Sequence, residues 1–221
     1  RLIRIPILIL FISLALVMLI PIVWILFGAF KPDNEIISYP PTFFPHEFSL
    51  KNFTKCMQRI DIIQYIKNSI IFSFGTTIPS LLVNSLAGYA FARYEFKGKN
   101  IIFVIFLATM MIPFQVIMIP EFIEIHLLGM YDNYWGLIVP KIASAYWIFM
   151  MRSAFAGLPR ELEEAARIDG LNEFGIYSRI MLPLIKPALV TMIILSINGN
   201  WNDLLWPLIM TSSSKMRTLA N

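Results

Sequence analysis

From Ile5 to Phe30 the chain runs without one charged residue, and four more mainly apolar stretches follow at 66–91, 101–120, 134–151 and 184–210. A helix rises about 1.5 Å per residue and the hydrocarbon core of a bilayer is about 30 Å thick, so roughly 20 mainly apolar residues make one crossing. The pattern predicts an all-α, polytopic membrane protein with five transmembrane helices. The later stretches carry polar or helix-breaking residues: Lys67, Pro79 and Asn84 in the second, Pro113 and Gln115 in the third, Pro140 and Lys141 in the fourth, and the run NGNWND at 198–203 in the fifth. The first stretch is too long, and too poor in small cleavage-site residues, to read as a removed signal peptide.

Composition points to the same solvent. Hydrophobic residues make up 57% of the chain and charged residues 14%, where soluble domains are about one quarter charged. The formal net charge of +4 would suit nucleic acid, but the basic residues form no stripe with interleaved aromatics. They stand at the ends of the apolar runs, and their distribution gives an orientation, because lysine and arginine in short loops favour the cytoplasmic side. The loop at 92–100 holds Arg93, Lys97 and Lys99 against Glu95 and is expected inside. The residues after the third stretch, with Glu121, Glu124 and Asp132 and no lysine or arginine, are expected outside. Arg1 and Arg4 then place the N-terminus in the cytoplasm, together with the segment 152–183. Residues 31–65, rich in proline and aromatics, become an external ordered cap within a single transmembrane domain, 1–221.

Several chemistries lose support. Cys56 is the single cysteine and cannot form an intrachain disulfide, and no cysteine and histidine spacing resembles a zinc site, so no metal is expected. There is no GxxxxGK[ST] phosphate loop, so any ATP and magnesium must be bound by partner subunits. Acids are nearly absent from the apolar stretches, and His46 and His126 fall in external loops, which weakens an ion-coupled carrier without removing it as the alternative. The intramembrane residues are scattered amides and one lysine, not the converging nucleophiles and acids of an enzyme, and no cofactor is expected in this chain. A hydroxyl-rich solute favours amides and an aromatic face, which makes Asn198, Asn200, Trp201, Asn202 and Asp203 candidates for a solute pathway, with Lys141.

Between the fourth and fifth stretches lies ELEEAARIDGLNEFGIYSRIMLPLIKP, from Glu161 to Pro187, with five carboxylates. Pro159 suits a first helical turn, Glu161, Glu163 and Glu164 suit the positive end of a helix, Arg167 suits the other, and Gly170 can take a left-handed stop. That describes a helix of about ten residues, roughly 15 Å long. Ala165 and Ala166 keep it slim where a partner could approach.

The spacing of Glu164, Ala165, Ala166, Gly170, Ile180, Leu182 and Pro183 resembles the EAA loop of the permease subunits of ABC importers, written EAA, three residues, G, nine residues, I, one residue, LP. Every specified position matches. FKPDNEIISYPPTFFP, NSLAGYAFARYEFKGKN and WNDLLWPLIMTSSSKMRTLAN resemble the second permease of the carbohydrate-uptake, maltose-type class. The resemblance implies a type I permease fold in a bacterial plasma membrane, a second permease as heterodimer partner, two cytoplasmic ATPase subunits and an external solute-binding protein. It also implies that Glu161, Glu164, Ala165, Ala166, Asp169 and Gly170 contact the ATPase, with Ile180, Leu182 and Pro183 positioning the next span. The solute is expected to be a sugar or oligosaccharide, with another small polar solute such as glycerol phosphate as the alternative. Because the chain lacks an initiator methionine and stops at Asn221 in a polar run, the family's sixth helix and tail are expected beyond it.

Overall fold

A computed structural model describes residues 4–221, and by their internal contacts they form two units, one ending at Ile62 and the other spanning Ile63–Asn221. In the first, α1 (Arg4–Ala29) contains no charged residue after its first position, and its aliphatic side chains are exposed all along its length. At 25 residues, Ile5–Ala29 is about 38 Å long, enough for a bilayer. After it the chain folds into a segment with two short helices, α2 (Asp33–Ile36) and α3 (Lys51–Arg59). Rings hold it together, with Trp24 and Phe27 against Phe43, and Phe30 against Phe48 and Phe53. The buried ammonium of Lys31 is bonded to Thr42 and lies over the Trp24 ring. The Glu35 carboxylate accepts from the Thr42 hydroxyl at 2.7 Å and the His46 amide at 3.0 Å, so the segment's buried charges are satisfied.

The second unit is organised on α4 (Ile62–Arg93), 32 residues long. Besides Phe72, Tyr89 and Phe91, its buried residues are small or polar: Ser69, Ser73, Thr76, Thr77, Ser80, Asn84, Ser85 and Gly88 recur along it. Small side chains let helices approach closely where lipid supplies no hydrophobic drive for association. Gly88 marks the closest approach, because a Cβ there would stand 2.5 Å from the Cβ of Met151 and 2.8 Å from the backbone nitrogen of Arg152.

The remaining helices are α5 (Lys99–Thr109), α6 (Phe114–Leu127), α7 (Tyr134–Ile138), α8 (Ala145–Ala156), α9 (Glu161–Ile168), α10 (Glu173–Leu184), α11 (Lys186–Trp201) and α12 (Leu205–Met210). Three stretches that hydropathy alone presents as continuous spans are therefore interrupted. At Pro113, which lacks an amide proton and bars its predecessor from the helical region, α5 and α6 meet at 100°. The fourth stretch is split by a 3-10 turn, Val139–Lys141, around Pro140. In the fifth, α10 and α11 meet at 78° ahead of Pro187, and α11 stops at Trp201 where Asn202 and Asp203 favour a turn. Among the described residues α1 and α4 are each long and apolar enough to cross a bilayer, and the two bent pairs would add two crossings if each is one span.

Asn84 repairs one of these breaks. Its amide donates to Ile142 O at 2.8 Å and its carbonyl accepts from Ser144 N at 2.9 Å, satisfying backbone groups that the interrupted helix leaves free. Within α10, residues Ile176–Met181 are wound as a π-helix. That winding turns Ile176, Tyr177 and Met181 together into a core with Tyr89, Met151, Phe155 and Met192. A second core joins Phe72, Ile125, Leu137, Trp206 and Met210.

The segment after α12 is tied back to α4. Asn68 donates to Lys215 O and Arg217 O at 2.8 and 2.6 Å, and Ser69 Oγ accepts from Leu219 N at 2.8 Å. Asp132 accepts from Ser212 N and Ser213 N at 2.9 and 3.1 Å. Burial would raise the Asp132 carboxyl, but the Ser212 and Ser213 bonds outweigh it and hold the group below its ordinary value. The ionised form is thus the one the fold prefers; its contribution is full at neutral pH and fades as pH falls through the lowered value. Asp132→Ala is expected to speed amide hydrogen exchange across 211–219 at pH 7 and leave α4 unchanged; equal exchange in both proteins would count against the tie.

Candidate functional site

The helix α9 is held from one side and open on the other. Its first turn carries Glu161, Glu163 and Glu164, as the positive end of a helix dipole favours. It ends in a paired stop: Gly170 N donates to Arg167 O and Leu171 N to Ala166 O, both at 3.0 Å. Gly170 has φ +83°, a conformation that other L-residues adopt only with strain. Ala166 is buried in the core of Tyr89, Phe155 and Tyr177, and Glu163 is buried beside it. The opposite face shows Leu162, Ala165 and Ile168, and Ile168 is 87% exposed.

Glu163 meets Arg93, the last residue of α4. Arg93 Nε lies 3.2 Å from Glu163 Oε1, both side chains are about 5% exposed, and no hydrogen bond joins these two atoms, so charge holds the pair. Arg93 Nη2 also donates to Leu158 O, just beyond α8, at 2.7 Å. A second, solvent-facing network runs alongside. Tyr94 Oη donates to Glu173 Oε2 at 2.7 Å, and Arg167 Nε donates to Glu173 Oε1 at 2.9 Å. Partial burial, then the bond to Glu173, pushes the Tyr94 phenol up to about 12, so it remains a donor at neutral pH. One ion pair, Arg93–Glu163, therefore binds α9 to the end of α4, a second, Arg167–Glu173, joins α9 to α10, and the Tyr94 hydrogen bond ties that second pair to the residue after α4.

Elsewhere, a cavity of about 490 Å³ opens between α4, α6, α8 and α11. Lys141 and Asp203 pair across it, and Asp203 Oδ1 also accepts from Trp206 N at 3.2 Å. The Lys141 ammonium lies 5.8 Å from the Phe114 ring centre and 5.6 Å from that of Trp206. A lone charge near a helix centre costs about 2.5–3.5 kcal/mol on insertion scales, and this pairing offsets that cost for both groups. Asn200, Ser144 and Ser196 add amide and hydroxyl groups, and Trp147 adds a ring.

Of the residues singled out from sequence, Lys141, Asn200 and Asp203 line this cavity, while Asn198, Trp201 and Asn202 do not. Asn198 and Asn202 are exposed and bonded to each other, one helical turn apart on another face of α11. Glu161, Glu164, Ala165, Asp169 and Gly170 lie on the exposed surface of the α9 region, whereas Ala166 points into the core. Ile180 and Leu182 pack against that core and Pro183 is exposed. Sequence reading passed over Arg93 and the inward turn of Glu163; the signal was the i, i+3 spacing of Glu163 and Ala166. It also assigned Glu121 to a loop, because the apolar stretch was ended at residue 120. In the structure α6 continues through Pro120 to Leu127 and brings Glu121 to the cavity.

A helical membrane chain with an exposed short helix pinned to its longer ones and a polar cavity among them has the parts a transport subunit needs. The chain belongs to the family of binding-protein-dependent transport system inner membrane components, which matches residues 84–221. It is 41% identical over 222 residues to the arabinooligosaccharides transport system permease protein AraQ of Bacillus subtilis (strain 168), covering 98% of this chain and 78% of that one. It is 32% identical over 205 residues to the lactose transport system permease protein LacG of Rhizobium radiobacter, covering 93% and 74%. The fold superposes with a TM-score of 0.86 on a chain from the crystal structure of a bacterial ABC transporter involved in the import of the acidic polysaccharide alginate, at 25% identity over 98% of this chain and 76% of that one. This chain is an ABC importer permease, and such a permease works with a partner permease, an ATPase and a solute-binding protein.

Proposed function

We propose that this permease forms half of the translocation pathway for a neutral sugar or oligosaccharide and receives its driving force through α9. The carrying observation is the two-sided character of that helix, with Glu163 and Ala166 buried against its own chain and the apolar Ile168 left 87% exposed among charges. An aliphatic side chain so placed suits a partner's groove. In this reading Glu161, Glu164, Ala165, Asp169 and Gly170 face a cytoplasmic ATPase subunit, which binds ATP and magnesium and does the hydrolysis. The N-terminus and the 152–183 segment are cytoplasmic, residues 31–65 face the binding protein, and a second permease completes the pathway. The cavity at Lys141, Asn200 and Asp203 is this chain's share of that pathway, and the names of the relatives from Bacillus subtilis and Rhizobium radiobacter support sugars as the solute class.

The test is ATP hydrolysis by the complex co-purified through this chain and reconstituted in lipid with its binding protein. Stimulation by an arabinooligosaccharide or lactose supports the reading. Stimulation by glycerol 3-phosphate alone would favour the second solute class, which a 37% identical relative named as a glycerol phosphate permease makes worth including. Ile168→Asp is expected to lower ATPase retention at least about tenfold, the scale of a contact worth ~1.4 kcal/mol. Because Ile168 is exposed, the chain itself should keep its folded yield; undiminished retention would sink the docking assignment.

A further inference from the structure

We propose that Glu121 and Thr76 form a solute-binding station in the cavity, one that accepts a neutral, hydroxyl-rich solute and turns away an anionic one. The inference rests on that cavity being part of the pathway. Thr76 is 1% exposed, lines the cavity, and its hydroxyl has no hydrogen-bond partner among the described residues. A buried hydroxyl is normally bonded, so this covered orphan at the cavity wall marks where a rotation of the Thr76 side chain would present a hydroxyl to a visiting polar group. Glu121 stands on the same cavity, with no hydrogen bond or ion pair among the described residues.

Lys141 is in the opposite situation. Asp203 holds it, and the rings of Phe114 and Trp206 flank it, so the cavity's cation is not free to receive an anion. Among the lining residues one ammonium faces two carboxylates, and the charges that act on Glu121 are Lys141 and the neighbouring Glu124. With Glu121 ionised, the wall carries excess negative charge. An ionised carboxylate accepts hydrogen bonds and has several lone-pair sites, which matches the adjacent hydroxyls of a sugar. Thr76 can donate or accept, and Trp147 offers an apolar ring face. A sugar acid or a phosphorylated solute would bring a like charge against an ionised Glu121.

The wall charge can be measured apart from what the binding protein loads. In the full complex in lipid, with Cys56→Ser, a reporter Ser144→Cys is reacted with a cationic and an anionic methanethiosulfonate, each rate divided by its rate with a free thiol. The cation should win by about tenfold, the low end for a charged cleft. Glu121→Gln, which keeps the shape, should cut that ratio to about threefold or less. Arabinotriose delivered by the binding protein should slow labelling by the cationic reagent, and Thr76→Val should remove that protection while leaving the charge ratio as it was. A ratio near one, or one that Glu121→Gln leaves intact, overturns the charge assignment. Protection that survives Thr76→Val overturns the hydroxyl contact. If the complex takes up arabinotriose and its aldonate equally per loaded binding protein, the inference falls and the sugar reading stands. If it takes up glycerol 3-phosphate and no saccharide, both fall.

Discussion

Glu163→Ala is expected to destabilise the chain by about 3–5 kcal/mol, because it leaves the Arg93 guanidinium buried without a counter-charge. The loss should exceed that of Glu161→Ala or Glu164→Ala, whose side chains are exposed and whose removal is typically worth under ~0.5 kcal/mol. Thermal unfolding of the complex in detergent would rank the three. A second pair of variants separates stability from coupling. Arg93→Met with Glu163→Leu fills the same space with apolar groups and should recover most of the folded yield, since buried ion pairs are often replaceable in this way. Glu163→Gln keeps the shape but, like Glu163→Ala, leaves Arg93 without a counter-charge, so it is compared per folded complex, where ATP hydrolysis is expected to persist with sharply reduced uptake as α9 loses its grip on the end of α4. Uptake by Glu163→Gln equal to that of the parent would show that the ion pair only supports the fold.

Gly88→Val should also damage the fold, for a different reason. Even the first carbon of a side chain would press into Met151 Cβ and, at 2.8 Å, the backbone nitrogen of Arg152. A flexible side chain could yield, but backbone cannot, so α4 and α8 must separate. Overpacking of this sort costs about 1–3 kcal/mol and sometimes more. The separation would also disturb the Arg152 guanidinium, 3.8 Å from the ring centre of Phe103 on α5. The expected result is a large fall in membrane-inserted, detergent-stable protein, with Gly88→Ala already measurably impaired. A Gly88→Val chain that purifies and melts like the parent would mean that the two helices are less closely locked than their geometry requires.

Much of this architecture is written in local chemistry. The charge-free run of α1, the glutamates at the start of α9 and the glycine that stops it act within a few residues, and there sequence and structure agree. The breaks in the later stretches are harder to read. Pro113 and Pro140 interrupt their helices, yet Pro21, Pro79 and Pro120 sit inside intact ones. What decides is whether the freed backbone groups find partners, as those around Ile142 and Ser144 do at Asn84, and that depends on residues about sixty positions away. Glu163 was hidden for the opposite reason. A glutamate on a short charged helix is expected to face water, and only the arrival of Arg93 from α4 makes its burial tolerable. Glu121 was missed by a boundary, since its place on the cavity follows from α6 continuing past Pro120.

The six residues wound as a π-helix within α10 carry a mechanical consequence. An i to i+5 turn takes up more chain than an α turn, so Ile176–Met181 holds slack between the α9 region and the bend at Ile185. Each residue drawn from that slack into α winding would turn one side of the segment against the other by roughly 100°. Any change of winding there would therefore turn Ile176, Tyr177 and Met181 relative to the core in which the structure seats them.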